Sequence, residues 1–350
     1  MFYETDDLMG TLEKLIPVHN NIMISGAPGI GKSEITYQVC EKLGLKLYEV
    51  RLYEQGEFAA GLAQYSVSEK TGHKVLDFVM PWWFDDIREG GYDVLFLDDF
   101  HLVPLEIQKF LYRLLTDRHL HNQKLEKDMK IIMAGNFNID SASASMVQSP
   151  IMGRIEIALN FVPNSKTFIK WALNNQDRID KRVIAFIQAH PEHFYEDDPA
   201  PTTKYPSPRT YEHLSRNIKH FNSPDYAIGI IGEKAGGLFQ ELWPMLNLTV
   251  DQILNRDPKN VSIDELVPMI TLLASEFRKE VSYRNNSTDN KIIKWIAKVP
   301  NEYKVLFVSN VKDRIGDGFI LEMIKDNNKD MREIGETFVQ IVKEIKKDVE

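Results

Sequence analysis

One short segment constrains the fold of this chain more than any other. GAPGIGKS, at residues 26–33, matches the pattern G-x-x-x-x-G-K-[ST]. The apolar run NIMIS at 21–25 precedes it, and helix formers with one apolar face follow at 32–43. A buried strand, a glycine-rich turn and a helix in this order direct backbone N–H groups at a phosphate. The alternative, a glycine-rich turn beside a surface lysine, leaves this context unexplained.

The residue types within the segment suit the phosphates of a nucleotide. The glycines allow a tight turn, so that N–H groups and the helix N-terminus face the β-phosphate. Lys32 puts a positive charge between the β- and γ-phosphates, and the hydroxyl of Ser33 can ligate Mg²⁺. The sequence therefore predicts a nucleotide site formed by Gly26, Ala27, Pro28, Gly29, Ile30, Gly31, Lys32 and Ser33.

The pattern around this segment predicts an α/β fold followed by helices. Further short apolar runs occur at 45–52, 93–97, 130–134 and 155–161. Helical patterns alternate with them, which favours a parallel sheet covered by helices on both faces. From about residue 163 helical periodicities take over, and Ser262 with Glu265 forms a capping box before one such helix. We therefore predict that the second half is all-helical.

Polar residues that end two of the apolar runs complete a candidate catalytic set. In VLFLDDF, Asp98 is expected to hold Mg²⁺ through its water shell, and Asp99 to orient an attacking water. In IMAGN, Asn136 could hydrogen-bond that water or the γ-phosphate. Arg154 and Arg209 are candidates to stabilise the charge of a transferring phosphoryl group. For either arginine, a surface salt bridge is the alternative interpretation.

Composition favours a water-soluble protein of the cell interior. The chain has 350 residues and a net charge of −9, which speaks against nucleic acid as a partner. Its single cysteine, Cys40, suits a reducing compartment, and we expect it to be a small core residue. No signal-peptide pattern opens the sequence, and no apolar run is long enough to span a membrane. We expect a cytoplasmic location.

The motifs together resemble the AAA+ ATPases of the MoxR-like, dynein-related group, which include short versions encoded by phages and bacteria. GAPGIGKS resembles the Walker A segment of that family, and LFLDDF at 95–100 its Walker B segment. Asn136 falls on sensor 1 and Arg154 on the arginine finger. SPRTYEHLS at 207–215 is similar to part of the lid, where Arg209 matches the sensor-2 arginine.

The resemblance implies ATP and Mg²⁺ as ligands and a homo-oligomeric, hexameric ring. Arg154 of one subunit would then reach the γ-phosphate held by its neighbour. The implied work is the remodelling of a protein client, with a von Willebrand factor A domain protein as an expected partner. The implied parts are an AAA+ α/β domain at 1–162, a helical lid at 163–225 and a C-terminal helical region at 226–350.

The chain departs from the family pattern in two places. Asp99 stands where the family usually has Glu, and a carboxylate about 1 Å too far from the water can cost on the order of a hundredfold in rate. Ala59 and Ala60 stand where relatives often carry an acidic residue before Gly-Leu. A nucleotide-gated scaffold with little hydrolysis therefore stays open, as does a nucleic-acid motor on the same core.

The region between 53 and 92 fits neither the strand nor the helix pattern well. Thr71-Gly72 could turn a hairpin between 62–69 and 73–80. For Trp82-Trp83-Phe84, we favour packing beneath this hairpin over grip on a client at a ring pore. We set aside the histidine pairs His119-x-His121 and His190-x-x-His193 as metal ligands, because no further ligands accompany them at zinc-site spacing.

Overall fold

A computed structural model describes residues 2–125, 128–137, 147, 149–196, 203–277, 287–316, 318–326 and 328–347. The chain divides into two compact units, Met1–Pro163 and Asn164–Glu350. The separate lid and C-terminal region expected from the sequence stay a prediction.

A six-stranded parallel sheet forms the centre of the first unit. The strands of this unit are β1 (Tyr3–Thr5), β2 (Asn21–Ser25), β3 (Leu47–Val50), β4 (Leu62–Val67), β5 (Lys74–Val79), β6 (Val94–Leu97), β7 (His119–Leu120), β8 (Gln123–Lys124), β9 (Lys130–Gly135) and β10 (Ile157–Phe161). The order in the sheet is β1-β10-β2-β9-β6-β3, and all neighbours are parallel. Every residue of β2 and β6 is buried, as expected for a sheet covered on both faces. The predicted parallel α/β architecture is confirmed.

Helices of the first unit follow the strands as the sequence pattern indicates. They are α1 (Leu8–Leu15), α2 (Lys32–Lys42), α3 (Trp82–Gly90), α4 (Leu105–Asp117) and α5 (Ser149–Met152), with 3-10 segments at Leu52–Ala60 and Phe100–Leu102. The predicted helix after residue 32 is confirmed as α2, and Cys40 on it is buried. Pro104 directly precedes α4, which buries Leu111, Leu114 and Leu115. Phe110 of the same helix is 42% exposed.

The predicted hairpin is present in the region between 53 and 92. β4 and β5 are antiparallel, with Leu62 opposite Val79, and the turn lies between Ser68 and His73. Trp83 and Phe84 are fully buried in the core of the first unit, which agrees with the packing interpretation. Trp82 is 63% exposed, so the expectation that all three aromatic residues pack inside is wrong for this side chain.

The second unit is built from helices, which confirms the prediction for this half. They are α6 (Ser165–Asn174), α7 (Lys181–Ala189), α8 (Pro208–Phe221), α9 (Ala227–Ile231), α10 (Glu233–Leu246), α11 (Val250–Leu254), α12 (Ile263–Glu276), α13 (Ser287–Ile296), α14 (Asn301–Ile315), α15 (Gly318–Lys325) and α16 (Lys329–Lys347), with 3-10 turns at Pro191–His193 and Pro258–Asn260. One buried cluster runs through it from Ile169 to Phe338. No helix in the described part of the chain is long and apolar enough to cross a membrane.

Two details of the helical half show what local sequence does and does not fix. The capping box forms as predicted, because Glu265 accepts hydrogen bonds from the backbone N–H and the hydroxyl of Ser262 at the start of α12. The helical stretch that contains Ala227–Leu246 is divided into α9 and α10 at Gly232, which has φ 85°. A Cβ there would lie 2.4 Å from the carbonyl oxygen of Lys204. Only glycine suits this position.

Candidate nucleotide site

Three neighbouring strands end at the same edge of the sheet, and each is followed by a candidate residue. β9 lies between β2 and β6. The segment 26–33 follows β2, Asp98 follows β6, and Asn136 follows β9. In open parallel sheets, ligands bind outside the carboxyl ends of the strands. The topology therefore brings together these three groups, which are far apart in the sequence.

The glycine-rich segment has the backbone that a phosphate-binding loop requires. A Cβ on Gly26 would lie 2.7 Å from the carbonyl oxygen of Phe161, so no larger residue fits this close approach. Gly31, with φ 101°, precedes the first turn of α2, and no side chain among the described residues caps this helix end. Its first N–H groups are therefore available to an anion.

Lys32 lies folded over the same loop. Its Nζ donates to the carbonyl oxygens of Gly26 and Ala27, each at 2.8 Å. This arrangement keeps the ammonium group beside the N–H groups of the loop. A polyphosphate bound there would meet both kinds of donor.

Ser33 and Asp98 form the contact that the magnesium prediction needs. The hydroxyl of Ser33 donates to Asp98 Oδ2 at 2.8 Å, and the backbone N–H of Asp99 donates to Asp98 Oδ1 at 3.0 Å. Asp98 is only 5% exposed. Mg²⁺ is typically held by one or two protein oxygens together with waters and nucleotide phosphates, so these two residues fit it. Among the described residues, no group of three or more His, Cys, Asp or Glu forms a separate metal cluster.

Asp99 occupies an unusual backbone conformation. It has φ 50° and ψ 35° and is half-buried directly before the 3-10 turn Phe100–Leu102. Asp tolerates this left-handed region better than most residues do. The two carboxylates differ in burial, since Asp98 is buried and Asp99 is only half-buried.

The motifs of the sequence did not single out His101, which lies against Gly135 at the end of β9. The Nδ1 atom of His101 is buried and has no hydrogen-bond partner among the described residues. The same atom lies 2.9 Å from where a Cβ on Gly135 would be, so the ring fills the space against the end of β9. Burial lowers the pKa of His101, and its imidazole is therefore biased toward the neutral form. The signal in the sequence was a polar residue close behind Asp98-Asp99.

Arg51, which follows β3, also belongs to none of the motifs recognised in the sequence. One of its guanidinium nitrogens lies 3.9 Å from Asp98 Oδ2. Val50 pairs with Leu97 across the parallel strands β3 and β6, so the residues that follow them are neighbours. A basic residue near the end of the apolar run at 45–52 could have revealed this contact, but only if the strand order had been known.

Arg154 lies at the amino ends of the strands, whereas the phosphate-binding loop lies at their carboxyl ends. The segment before β10 pairs with the start of β2, and Asn21 Nδ2 donates to the carbonyl oxygen of Arg154 at 2.9 Å. The Arg154 guanidinium donates to Thr116 Oγ1 and to the carbonyl oxygen of Pro150, and it lies over the ring of Tyr112. The structure does not bring Arg154 to the loop of its own chain.

Arg209 is in the second unit, at the second residue of α8. Its side chain is exposed and makes no hydrogen bond or ion pair within the described part of the chain. Ser207 caps this helix through a capping box with Thr210. The cap fixes the backbone that carries Arg209.

The segment that departs from the family pattern is packed into the first unit. Ala59 and Ala60 are buried. Trp83 Nε1 donates to the carbonyl oxygen of Ala59 at 3.0 Å, and His121 Nε2 lies 2.6 Å from that of Ala60. The backbone of this segment is therefore tied to Trp83 and His121.

Comparison with known proteins supports the nucleotide-binding interpretation. Residues 21–148 match the sequence model of the AAA domain of the dynein-related subfamily. The matched stretch includes the phosphate-binding loop, Asp98, Asp99 and Asn136, and it ends before Arg154 and Arg209. The match supports a P-loop ATPase domain of the AAA type, with the nucleotide binding and ATP hydrolysis that such domains perform. A comparison with curated proteins finds no match.

Several solved structures are similar at low sequence identity. The Holliday junction branch migration motor RuvB of Thermotoga maritima is 15% identical, with a TM-score of 0.37 over 70% of each chain. Domain III of the Thermotoga maritima replication initiation protein DnaA is 14% identical, with a TM-score of 0.39 over 67% of this chain and 89% of that one. NtrX of Brucella abortus, in complex with ADP, is 15% identical, with a TM-score of 0.34 over 88% of this chain and 63% of that one.

Proposed function

We propose that the protein is a MoxR-like AAA+ ATPase that binds and hydrolyses ATP with Mg²⁺. The observation that carries the proposal is the contact of Ser33 with Asp98 beside the phosphate-binding loop, at the carboxyl edge of the sheet. Ser33 and Asp98 would hold Mg²⁺, which when bound neutralises charge on the phosphates. The family match at 21–148 supports the same class of reaction.

The remaining residues of the first unit have separate roles in this proposal. Lys32 binds the β- and γ-phosphates, as its place over the loop favours. Asp99 orients the attacking water, and Asn136 hydrogen-bonds that water or the γ-phosphate. Both follow strands that end beside the loop.

The two arginines complete the site from outside the loop. We assign Arg154 to the γ-phosphate of a neighbouring subunit, because it lies at the opposite edge of its own sheet. Arg209, exposed in the helical half, acts as the sensor-2 arginine. An arginine supplied to the transferring phosphoryl group stabilises its developing charge.

The proposal includes a ring of identical subunits in the cytoplasm, with six as the expected number. Its work is to remodel a protein client, and a von Willebrand factor A domain protein is the proposed partner. The support is the likeness of the motifs to the MoxR-like group and the net charge of −9, which disfavours nucleic acid.

A second candidate function rests on Asp99. Its carboxylate is one methylene shorter than that of the usual Glu, and its backbone is in the left-handed region. A protein with this site could bind ATP, assemble and hydrolyse slowly, as a nucleotide-gated scaffold. Asp99 is the feature that favours this candidate over fast turnover.

One experiment separates the two candidates. ATP turnover per subunit is measured against protein concentration in the presence of Mg²⁺, with binding of a fluorescent ADP analogue measured in parallel. Activity that rises and saturates with concentration supports a site completed between subunits. Near-zero turnover with firm nucleotide binding favours the scaffold. If the wild type and Lys32→Ala bind the analogue equally weakly, the proposed site is refuted.

A further inference from the structure

Arg51 stands next to the carboxylate that the proposed function assigns to Mg²⁺. It directly follows β3, whose last residue Val50 is paired with Leu97 of β6. The backbone N–H of Asp98 also donates to the carbonyl oxygen of Val50 at 3.1 Å. The register of two parallel strands therefore fixes Arg51 and Asp98 as neighbours.

The contact is made to one particular oxygen of Asp98. Oδ1 accepts the N–H of Asp99, whereas Oδ2 accepts the hydroxyl of Ser33 and lies 3.9 Å from Arg51 Nη2. The oxygen on the Ser33 side is the one that a cation bound by both residues would use. Arg51 thus places a positive charge against the oxygen that the proposed metal would use.

Arg51 also has partners that could hold it elsewhere. Its Nε donates to Glu49 Oε1 at 2.9 Å, and its Nη1 lies 3.7 Å from Glu54 Oε1. Its side chain is 45% exposed, so it has room to move, whereas the side chain of Asp98 is 7% exposed. Burial by itself would lower the pKa of Arg51. The negative charges of Glu49, Asp98 and Glu54 outweigh this effect, so the pKa is raised.

We propose that Arg51 is a tethered counter-cation for Asp98 that competes with Mg²⁺ for this carboxylate. The inference rests on the proposed function, in which Ser33 and Asp98 hold the metal. Without nucleotide, Arg51 compensates the buried charge of Asp98. When Mg²⁺ enters together with phosphates, repulsion between the two cations shifts Arg51 toward Glu49 and Glu54. The device couples metal binding to nucleotide binding.

The test measures the Mg²⁺ requirement of nucleotide binding rather than turnover. Binding of a fluorescent ADP analogue to the full chain is titrated with MgCl₂, and binding in EDTA gives the metal-free reference. Arg51→Gln is expected to lower the Mg²⁺ concentration at half-saturation about fivefold, a usual size for coupling between two sites. Arg51→Lys keeps the charge and is expected to stay close to the wild type.

A second variant keeps the test informative if Arg51→Gln fails to fold. Glu54→Gln removes an alternative partner of Arg51 at an exposed position. Since Arg51 is then held more firmly at Asp98, the Mg²⁺ requirement is expected to rise. Arg113→Gln is the matched control, because it removes an exposed arginine on α4 of the same unit. Among the ion pairs of the described residues, Arg113 is paired only with Asp117.

Each outcome supports or overturns the proposal. An unchanged or higher Mg²⁺ requirement in Arg51→Gln overturns it, as does an equal shift in Arg113→Gln, which would reveal a general charge effect. Weaker binding in EDTA with an unchanged Mg²⁺ requirement would make Arg51 a phosphate ligand and also overturn it. If the wild type binds no nucleotide, the proposed function fails with it. Firm wild-type binding and an unaltered Arg51→Gln defeat this inference alone.

Discussion

The assignment of Arg154 to the site of a neighbouring subunit predicts that two inactive variants restore each other's activity. Lys32→Ala removes the phosphate contact of the loop but keeps Arg154. Arg154→Ala keeps the loop but removes the arginine. In a mixed ring, an intact loop meets an intact arginine wherever the two variants are adjacent in the right order.

The geometry of the sheet sets this expectation. β2 has five residues, Asn21–Ser25, with the Arg154 segment at its amino end and the loop at its carboxyl end. At about 3.3 Å per residue the strand is about 16 Å long. An arginine side chain is much shorter than this. Arg154 therefore does not reach phosphates bound by its own loop, and the proposed role requires the loop of a neighbouring subunit.

The size of the effect follows from the role of the residue. Loss of an arginine that stabilises the transferring phosphoryl group costs about 10³-fold or more in turnover. A factor of 10³ corresponds to about 4 kcal/mol of transition-state stabilisation. In a random equimolar mixture, about one quarter of the interfaces combine an intact loop with an intact arginine. The mixture is therefore expected to reach about a quarter of wild-type turnover per subunit.

The assay is ATP turnover of each variant alone and of mixtures at constant total protein. The double variant, Lys32→Ala with Arg154→Ala, mixed with Arg154→Ala gives the matched control and should restore nothing. Arg113→Ala, which removes an exposed arginine elsewhere on α4, should keep wild-type turnover. Binding of the ADP analogue to Arg154→Ala should also be unchanged, since its loop is intact.

Two results would refute the reasoning. Wild-type turnover of Arg154→Ala alone would remove this residue from the reaction. Inactive variants that assemble together but recover nothing when mixed would show that Arg154 does not complete a neighbouring site.

Three further predictions concern single residues of the first unit. Asp99→Glu should raise turnover by up to about a hundredfold. Because the backbone at this position is left-handed, the longer side chain should cost about 1 kcal/mol of stability. An unchanged or lower rate of turnover would remove the basis of the short-carboxylate argument. Arg118→Met should lower the free energy of unfolding by about 3–5 kcal/mol, because this buried guanidinium donates to four backbone carbonyls; a urea unfolding midpoint equal to that of the wild type would contradict this. The folded-state pKa of His101 is lowered by burial from 6.5, so its contribution to stability is complete above that value and is lost as the pH falls toward the folded-state pKa. The urea midpoint of the wild type should therefore drop more between about pH 7.5 and about pH 5.5 than that of His101→Gln, and equal drops would show that His101 does not carry the effect.

The local sequence predicted much of the fold because the decisive signals are short. The phosphate-binding loop, the hairpin turn at Thr71-Gly72 and the capping box at Ser262 each depend on residues within a few positions of one another. Such patterns fix backbone conformation directly through glycine, turn residues and caps. The strands between them could be predicted from apolar runs, because both faces of a parallel sheet are buried.

Three features that depend on contacts between distant segments were not predicted. β1 has three residues and exists as a strand because it pairs with β10, more than 150 residues away in the chain. The break at Gly232 is set by the close approach of the Lys204 carbonyl. The exposure of Trp82 beside the buried Trp83 depends on which face of α3 meets the core. None of these contacts leaves a local pattern.

The sequence by itself predicted the residues of the candidate site, since Lys32, Ser33 and Asp98 belong to motifs whose residue types suit phosphate and Mg²⁺. Only the tertiary structure decided that Arg51 faces Asp98 and that Arg154 lies at the far edge from its own loop. The physical reason is the strand order, which hydrogen bonding between distant segments creates. That order sets which strand ends are neighbours, and therefore which charges meet.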